Sequence, residues 1–231
     1  MSHSANKSVP SQFLDGLSAE DLRAILGAAQ ERRLSANTVV VNQGDPAEHF
    51  FLLTHGHARH FFNTENGQKI LLRWLVPGDV TGAVSLLSKP GQYQMGTEVV
   101  EDSRFLVWDR VSLGRLTTRY PRLLQNVLFI AQVYFDWYLT AHVALTCESA
   151  RQRCASVLTN IAHAIGHKVA GGTELAITNE ELASAAAVNV FDASRFLSEW
   201  RHSGAVAKAR GKVIVRSPEL LSVSRQRNGT G

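Results

Sequence analysis

Cysteine is nearly absent from this 231-residue chain, which has only Cys147 and Cys154. Two are too few for a disulfide framework and suit a reducing compartment, so a cytoplasmic location is expected. No run approaches the ~18 consecutive apolar residues that a membrane-spanning helix needs, so no membrane partner is expected. The opening stretch, Met1 to Pro10, is polar and lacks the apolar segment of a signal peptide. The first two-thirds also lack an excess of charge. Residues 1–148 carry 13 Lys+Arg against 14 Asp+Glu, a balance of −1, whereas 149–231 carry 11 against 6, a balance of +5. The whole of the chain's +4 excess therefore sits in the last third, where it suggests a polyanion partner. The rest is ordinary: 45% apolar and 19% charged residues supply a sizeable core and exclude a collagenous or mostly disordered chain.

Residues 18–33 open with Ser18 and Asp21, a variant of the capping box, and carry Leu22, Ile25, Leu26 and Ala29 at helical spacing. A helix is predicted there. From Val39 to about Trp108, short β-rich runs alternate with turn signals, a pattern that predicts a sandwich or barrel. Gly44, Gly56, Gly67, Gly78 and Gly82 fall at the strand boundaries, where positive φ or close backbone approach favours glycine. A long helix follows, from about Tyr120 to Cys147. Leu124, Val127, Ala131, Tyr134, Tyr138, Ala141 and Leu145 step through it by threes and fours, an a/d seam that predicts a homodimer. Ile130, Phe135, Trp137 and Leu139 lie off that seam, free to pack on the barrel.

Ala150 to Ala164 is a further amphipathic helix, and Gly166 with Gly171-Gly172 marks a loop or turn. Thr178 and Glu181 form a capping box that opens a short helix, and a break near Ala187-Val188-Asn189 separates it from a second helix, Val190 to Arg201. Two short helices joined tightly read as a helix-turn-helix, although the turn lacks its frequent glycine. Leu182, Ala183, Ala186, Ala193, Phe196 and Leu197 would bury against one another. A small hairpin follows, with Arg210-Gly211-Lys212 at its tip.

This order resembles the cyclic-AMP receptor protein / fumarate-nitrate regulator (CRP/FNR) family over about residues 13–221. The glycine ladder with Pro77-Gly78-Asp79-Val80 near its end is similar to the family's effector-binding barrel. The stretch 177–200, followed by Gly204-Ala205 and Arg210-Gly211-Lys212, is similar to its winged helix. The resemblance implies an α+β chain in three parts: a cyclic-nucleotide-binding-like β-barrel (jelly roll) at 13–118, a dimerisation helix at 119–148, and a winged helix-turn-helix at 149–222. It implies a bacterial or archaeal homodimeric transcription regulator that binds a two-fold palindromic DNA site and works with RNA polymerase, not an enzyme.

Early residues of such a recognition helix reach base edges. Here these are Val190, Phe191, Asp192, Ser194 and Arg195, of which Arg195 can bond guanine O6 and N7 together. Phe191 stands where many members have glutamate, so the usual half-site is not assumed; a phenyl ring can contact a thymine methyl. Thr178, Asn189, Arg210 and Lys212 correspond to phosphate contacts. For the effector, the resemblance points to Gly82, Ala83, Val84, Tyr93, Met95, Tyr134, Tyr138 and Leu139. Ala83 stands where the cyclic-nucleotide binders have an acidic residue, and Tyr93 to Gly96 lacks their arginine-serine pair. Cyclic AMP is therefore not expected, and an apolar effector, or none, fits better. No cofactor is expected. Haem, through His49, His55, His57 or His60, is the alternative within the family, although these histidines read as surface or loop residues. A metal-dependent cupin-like enzyme is the alternative of another class, but Phe61 and Phe62 occupy the places of its usual glutamate.

Overall fold

The computed structural model describes residues 10–87, 89, 91–209 and 212–221. The chain divides into a first unit that ends at Tyr138 and a second that begins at Leu139, inside one long helix.

The first unit opens with a 3-10 turn, Gln12–Leu14, and α1 (Ala19–Gly27), capped by Ser18, whose hydroxyl accepts from Asp21 N. Eight strands follow: β1 (Gln30–Leu34), β2 (Val39–Val41), β3 (His49–His55), β4 (Ala58–Asn63), β5 (Lys69–Leu75), β6 (Val80–Thr81), β7 (Gly96–Val99) and β8 (Ser103–Asp109). They form two antiparallel sheets, in the orders β1-β8-β3-β6 and β2-β7-β4-β5. Both stay open at their edges, so the arrangement is a jelly-roll sandwich rather than a closed barrel. The run His-Phe-Phe-Leu-Leu explains the layering. Phe51 and Leu53 of β3 pack with Leu75, Val99 and Phe105 between the sheets. Phe50 and Leu52 face the other way, onto Phe13, Ile25 and Trp108. A strand buried on both sides needs such an unbroken apolar run.

The helices α2 (Arg110–Arg119) and α3 (Arg122–Cys147) close this second layer through Leu113, Leu123, Val127 and Ile130. Three side-chain hydrogen bonds tie this layer together, one from β8 and two from α3. Trp108 Nε1 donates to Ile25 O (2.9 Å), and Asn126 Nδ2 donates to the carbonyls of Phe13 and Asp15 (2.9 and 2.8 Å).

The second unit continues from α3 with α4 (Ala150–Ile165), β9 (His167–Val169), β10 (Gly172–Leu175), α5 (Asn179–Ala186), α6 (Val190–His202), β11 (Val206–Ala209), β12 (Lys212–Val215) and α7 (Pro218–Leu221). Its sheet runs β11-β12-β10-β9, all antiparallel. The six residues expected to bury between the two short helices are all buried, together with Cys154, Leu158 and Trp200. Burial of Cys154 pushes its thiol up to about 11, so it packs as a small apolar group.

Two expectations need correction, and other elements carried no prediction. The helix predicted over 18–33 stops at Gly27, and Gln30–Leu34 is instead an edge strand on β8. Its Gln-Glu-Arg-Arg side chains are exposed, so no alternation betrays it. The helix α2 falls in a stretch that carried no helix prediction, and its glycine, Gly114, sits within it. The turn expected at Gly171-Gly172 is present, and it joins β9 to β10, two strands that carried no prediction, so the wing belongs to a four-stranded sheet. Finally, the predicted dimer seam mixes two faces of α3. Val127 is 6% exposed in its own chain's core, and Tyr134 packs beside that core. Phe135 and Leu139, expected to pack on the barrel, are exposed. The outward apolar stripe of the first unit is Leu124, Leu128, Ala131 and Phe135. No helix among the described residues is long and apolar enough to cross a membrane.

Candidate functional site

Within the second unit the sequence folds α5 and α6 by caps. Thr178 Oγ1 accepts from Glu181 N (3.1 Å) while the Glu181 carboxylate accepts from Thr178 N (2.8 Å). Asn189 Oδ1 accepts from Asp192 N (2.7 Å) at the start of α6. Between them Ala187 takes a left-handed conformation, φ 50° and ψ 52°, which costs a non-glycine residue about 1–2 kcal/mol. Arg153 compensates. Its guanidinium donates to Ala186 O (2.9 Å) and Ala187 O (3.1 Å) at the turn and to Glu148 O (2.8 Å) ahead of α4, so one side chain of α4 satisfies two carbonyls of the turn. The sequence reading missed Arg153, and its only signal was the missing turn glycine.

One face of α6 is buried through Ala193, Phe196, Leu197 and Trp200, which leaves the other in solvent. That outer face holds Val190, Phe191, Ser194 and Arg195, with Phe191 87% exposed. Asp192, half-buried, bonds both Asn189 and Arg195. Lys212 Nζ donates to Glu174 Oε1 (2.6 Å) across the sheet. Arg210, expected on phosphate, lies outside the described residues.

In the first unit, all five ladder glycines have φ between 76° and 103°. At Gly82 a Cβ would also lie 2.4 Å from His49 O, so no other residue fits. Ala83 and Val84 start the 3-10 turn behind it. Tyr93 is a strut rather than a pocket wall: its hydroxyl accepts from His49 N (3.0 Å) and donates to His49 O (2.9 Å). Tyr134 donates to Val80 O (3.2 Å), and Tyr138 donates to Met95 Sδ (3.5 Å). Burial raises both phenols.

Arg73 supplies a guanidinium to this region, but not a free one. It lies over the Tyr134 ring (4.1 Å) and bonds both Asp79 carboxylate oxygens (3.1 and 3.2 Å). The cavity beside it, lined by Arg73, Asp79, Ile130, Val133 and Tyr134, holds about 80 Å³. That is room for two or three waters, whereas ligand pockets commonly run to ~300 Å³ or more. Of the expected effector-pocket residues, only Tyr134 lines it.

The four histidines are not brought together. His49 and His55 lie at opposite ends of β3, and His57 pairs with Glu101 (2.5 Å). His60 corrects the surface reading. It is 3% exposed, with Nε2 3.2 Å from Thr81 Oγ1 and Nδ1 unpartnered among the described residues. Burial, aided by the charge of Arg73, pushes its pKa down to about 3, so the imidazole is neutral. Among the described residues no three His, Cys, Asp or Glu side chains are grouped to hold a metal ion.

Residues 31–120 match the family model of the cyclic nucleotide-binding domain, and residues 152–223 that of the Crp-like helix-turn-helix domain. The chain is similar to the cyclic AMP receptor protein of Thermus thermophilus, 28% identical over 212 residues that cover 91% of this chain and 95% of that one. It is also similar to the anaerobic regulatory protein of Bacillus subtilis, 22% identical over 217 residues covering 89% and 88%. The solved structure of the c-di-GMP responsive regulator CLP of Xanthomonas campestris shares the fold, with a TM-score of 0.76 at 17% identity, covering 86% of this chain and 99% of that one.

Proposed function

The chain belongs to the CRP/FNR family of DNA-binding transcription regulators, and from that premise we propose that it works as a homodimer reading a two-fold DNA site through α6. The observation that carries this reading is the outer face of α6, where Phe191, Ser194 and Arg195 stand exposed over a buried Ala193, Phe196, Leu197 and Trp200. In this reading Arg195 bonds a guanine edge and Phe191 meets a thymine methyl. Thr178, Asn189, Arg210 and Lys212 lie along phosphates and position the helix. Lys212 must leave Glu174 to do so, at little cost for an exposed pair. RNA polymerase is the partner at promoters, the site of action is cytoplasmic, and no catalysis is part of the role.

The dimer forms along Leu124, Leu128, Ala131 and Phe135, an apolar stripe at coiled-coil spacing. The signal in the first unit is not cyclic AMP. The Arg73 guanidinium by the cavity is ion-paired to Asp79, and Ala83, not an acidic residue, follows Gly82. An apolar molecule that displaces Tyr134, or no effector at all, accords with so small a space. Arg195→Ala tests the DNA reading: it should cost about 1–3 kcal/mol per half-site and relax selectivity at one base pair. Unchanged selectivity at every base pair would remove α6 from the account.

A further inference from the structure

Asp192 stands where a base-reading residue was expected, yet both of its carboxylate oxygens are already engaged. Oδ2 accepts from Asn189 Nδ2 (2.6 Å), and Oδ1 accepts from Arg195 Nη2. Those two bonds hold the side chain from two sides, and its own backbone N–H donates to Asn189 Oδ1 (2.7 Å) at the first turn of α6. A carboxylate there is favoured by the positive end of the helix dipole. Arg195, one turn further on, is exposed and long, with its guanidinium 5.0 Å from the Phe196 ring. The bond to Asp192 restrains a side chain that would otherwise sample many rotamers.

We propose that Asp192 is a positioning residue for specificity: it braces Arg195 in the orientation that reads guanine and makes every other DNA contact of α6 less favourable. This rests on the recognition-helix reading above. A guanidinium carries five N–H donors, so one given to Asp192 leaves enough for the paired bond to guanine O6 and N7. Phe191, the preceding residue, cannot brace a cation by ion pairing, and it points into solvent. The acid also has an electrostatic consequence. A negative charge on the leading edge of α6 opposes phosphates of any sequence, so it lowers non-specific affinity. It is tolerated where Arg195 finds its guanine. Specificity built from such a repulsive element is a difference of affinities, not a gain in the best one.

The two effects have opposite signs, which separates bracing from a merely structural cap. The experiment uses the full chain, wild type, Asp192→Asn, Arg195→Ala and the double variant. Each is measured on the DNA site selected by the wild type, on the same site with the Arg195-dependent guanine replaced, and on unrelated duplex. Asp192→Asn keeps the side-chain shape and removes the charge. It should bind unrelated duplex more tightly, while its preference for the guanine falls about tenfold. In the Arg195→Ala background the same substitution should leave base preference unchanged. A uniform loss on all three duplexes, with a lowered melting temperature, would make Asp192 a helix cap and overturn the proposal. So would an equal loss of preference with and without Arg195. If Arg195→Ala itself altered preference nowhere, the recognition-helix reading would fall first, and this inference with it.

Discussion

The exposed stripe of α3 supports a sharp test of how two chains meet. Leu128 and Phe135 are 64% and 65% exposed, one heptad apart on the same face. Burying the exposed two-thirds of each contributes about 1–2 kcal/mol, and two-fold symmetry counts each twice. Phe135→Glu removes that gain and places two carboxylates in an apolar seam. The combined cost is on the order of 5 kcal/mol per dimer, which weakens association more than about a thousandfold. Light scattering at micromolar protein should then give the monomer mass, with the helical content kept, because Phe135 is not part of the chain's own core. Val127→Ala is the counterpart. It opens a cavity beside Leu123 and Ile130 and should cost about 2 kcal/mol of folding stability with the dimer mass unchanged. A dimeric Phe135→Glu would show that the stripe is not the interface. A folded monomer from Val127→Ala would restore the other helical face.

The helix-turn-helix turn gives a second test by calorimetric melting. Ala187→Gly relieves the left-handed strain and should stabilise by about 1 kcal/mol, whereas Arg153→Ala strips three carbonyls of their donor and should destabilise by about 2–4 kcal/mol. Equal melting temperatures for all three proteins would contradict the role given to Arg153. His60 gives a pH test. Its folded pKa, about 3, lies below the ordinary 6.5, so only the unfolded chain takes up the proton in that window. Stability is whole above about pH 6.5 and declines as pH falls towards 3, by about 2 kcal/mol between pH 7 and 5. Urea titrations of His60→Gln should lack this part of the decline, and identical slopes would refute it. In the cavity, calorimetry should show no micromolar binding of cyclic AMP; a low-micromolar site coupled to DNA binding would mean that Arg73 had left Asp79 for the phosphate.

The order of parts was legible because each rests on local chemistry. Five glycines with positive φ, the Thr178–Glu181 box and the buried positions of α5 and α6 all follow from residue type and spacing. The failures lie where tertiary structure decides between two local options. The helix α3 is apolar on several sides, so steps of three and four fit two registers, and only packing on Phe13 and Trp108 selects Val127 over Leu128 for the core. The side to which Arg73 points is equally open to a reading from sequence, since it sits in a strand with apolar neighbours on both sides. A bulge makes His60 oppose Arg73 and Phe61 oppose Leu71, which breaks the alternation of β5, and no glycine marks it. His60 and Arg73 lie on the face of Ala58 and Leu75 by regular alternation, beside that irregularity. Edge strand β1 was lost to its own charge, since its exposed Gln-Glu-Arg-Arg suits a helix as well.

Selection from a random double-stranded library by the full chain tests the central claim most directly. A dimer presenting two copies of α6 should enrich a two-fold motif whose half-sites lie about one helical turn apart, 10–10.5 base pairs between centres. Each half-site should contain one guanine whose enrichment disappears with Arg195→Ala. Enrichment of no two-fold motif, or of one that Arg195→Ala leaves intact, would contradict it.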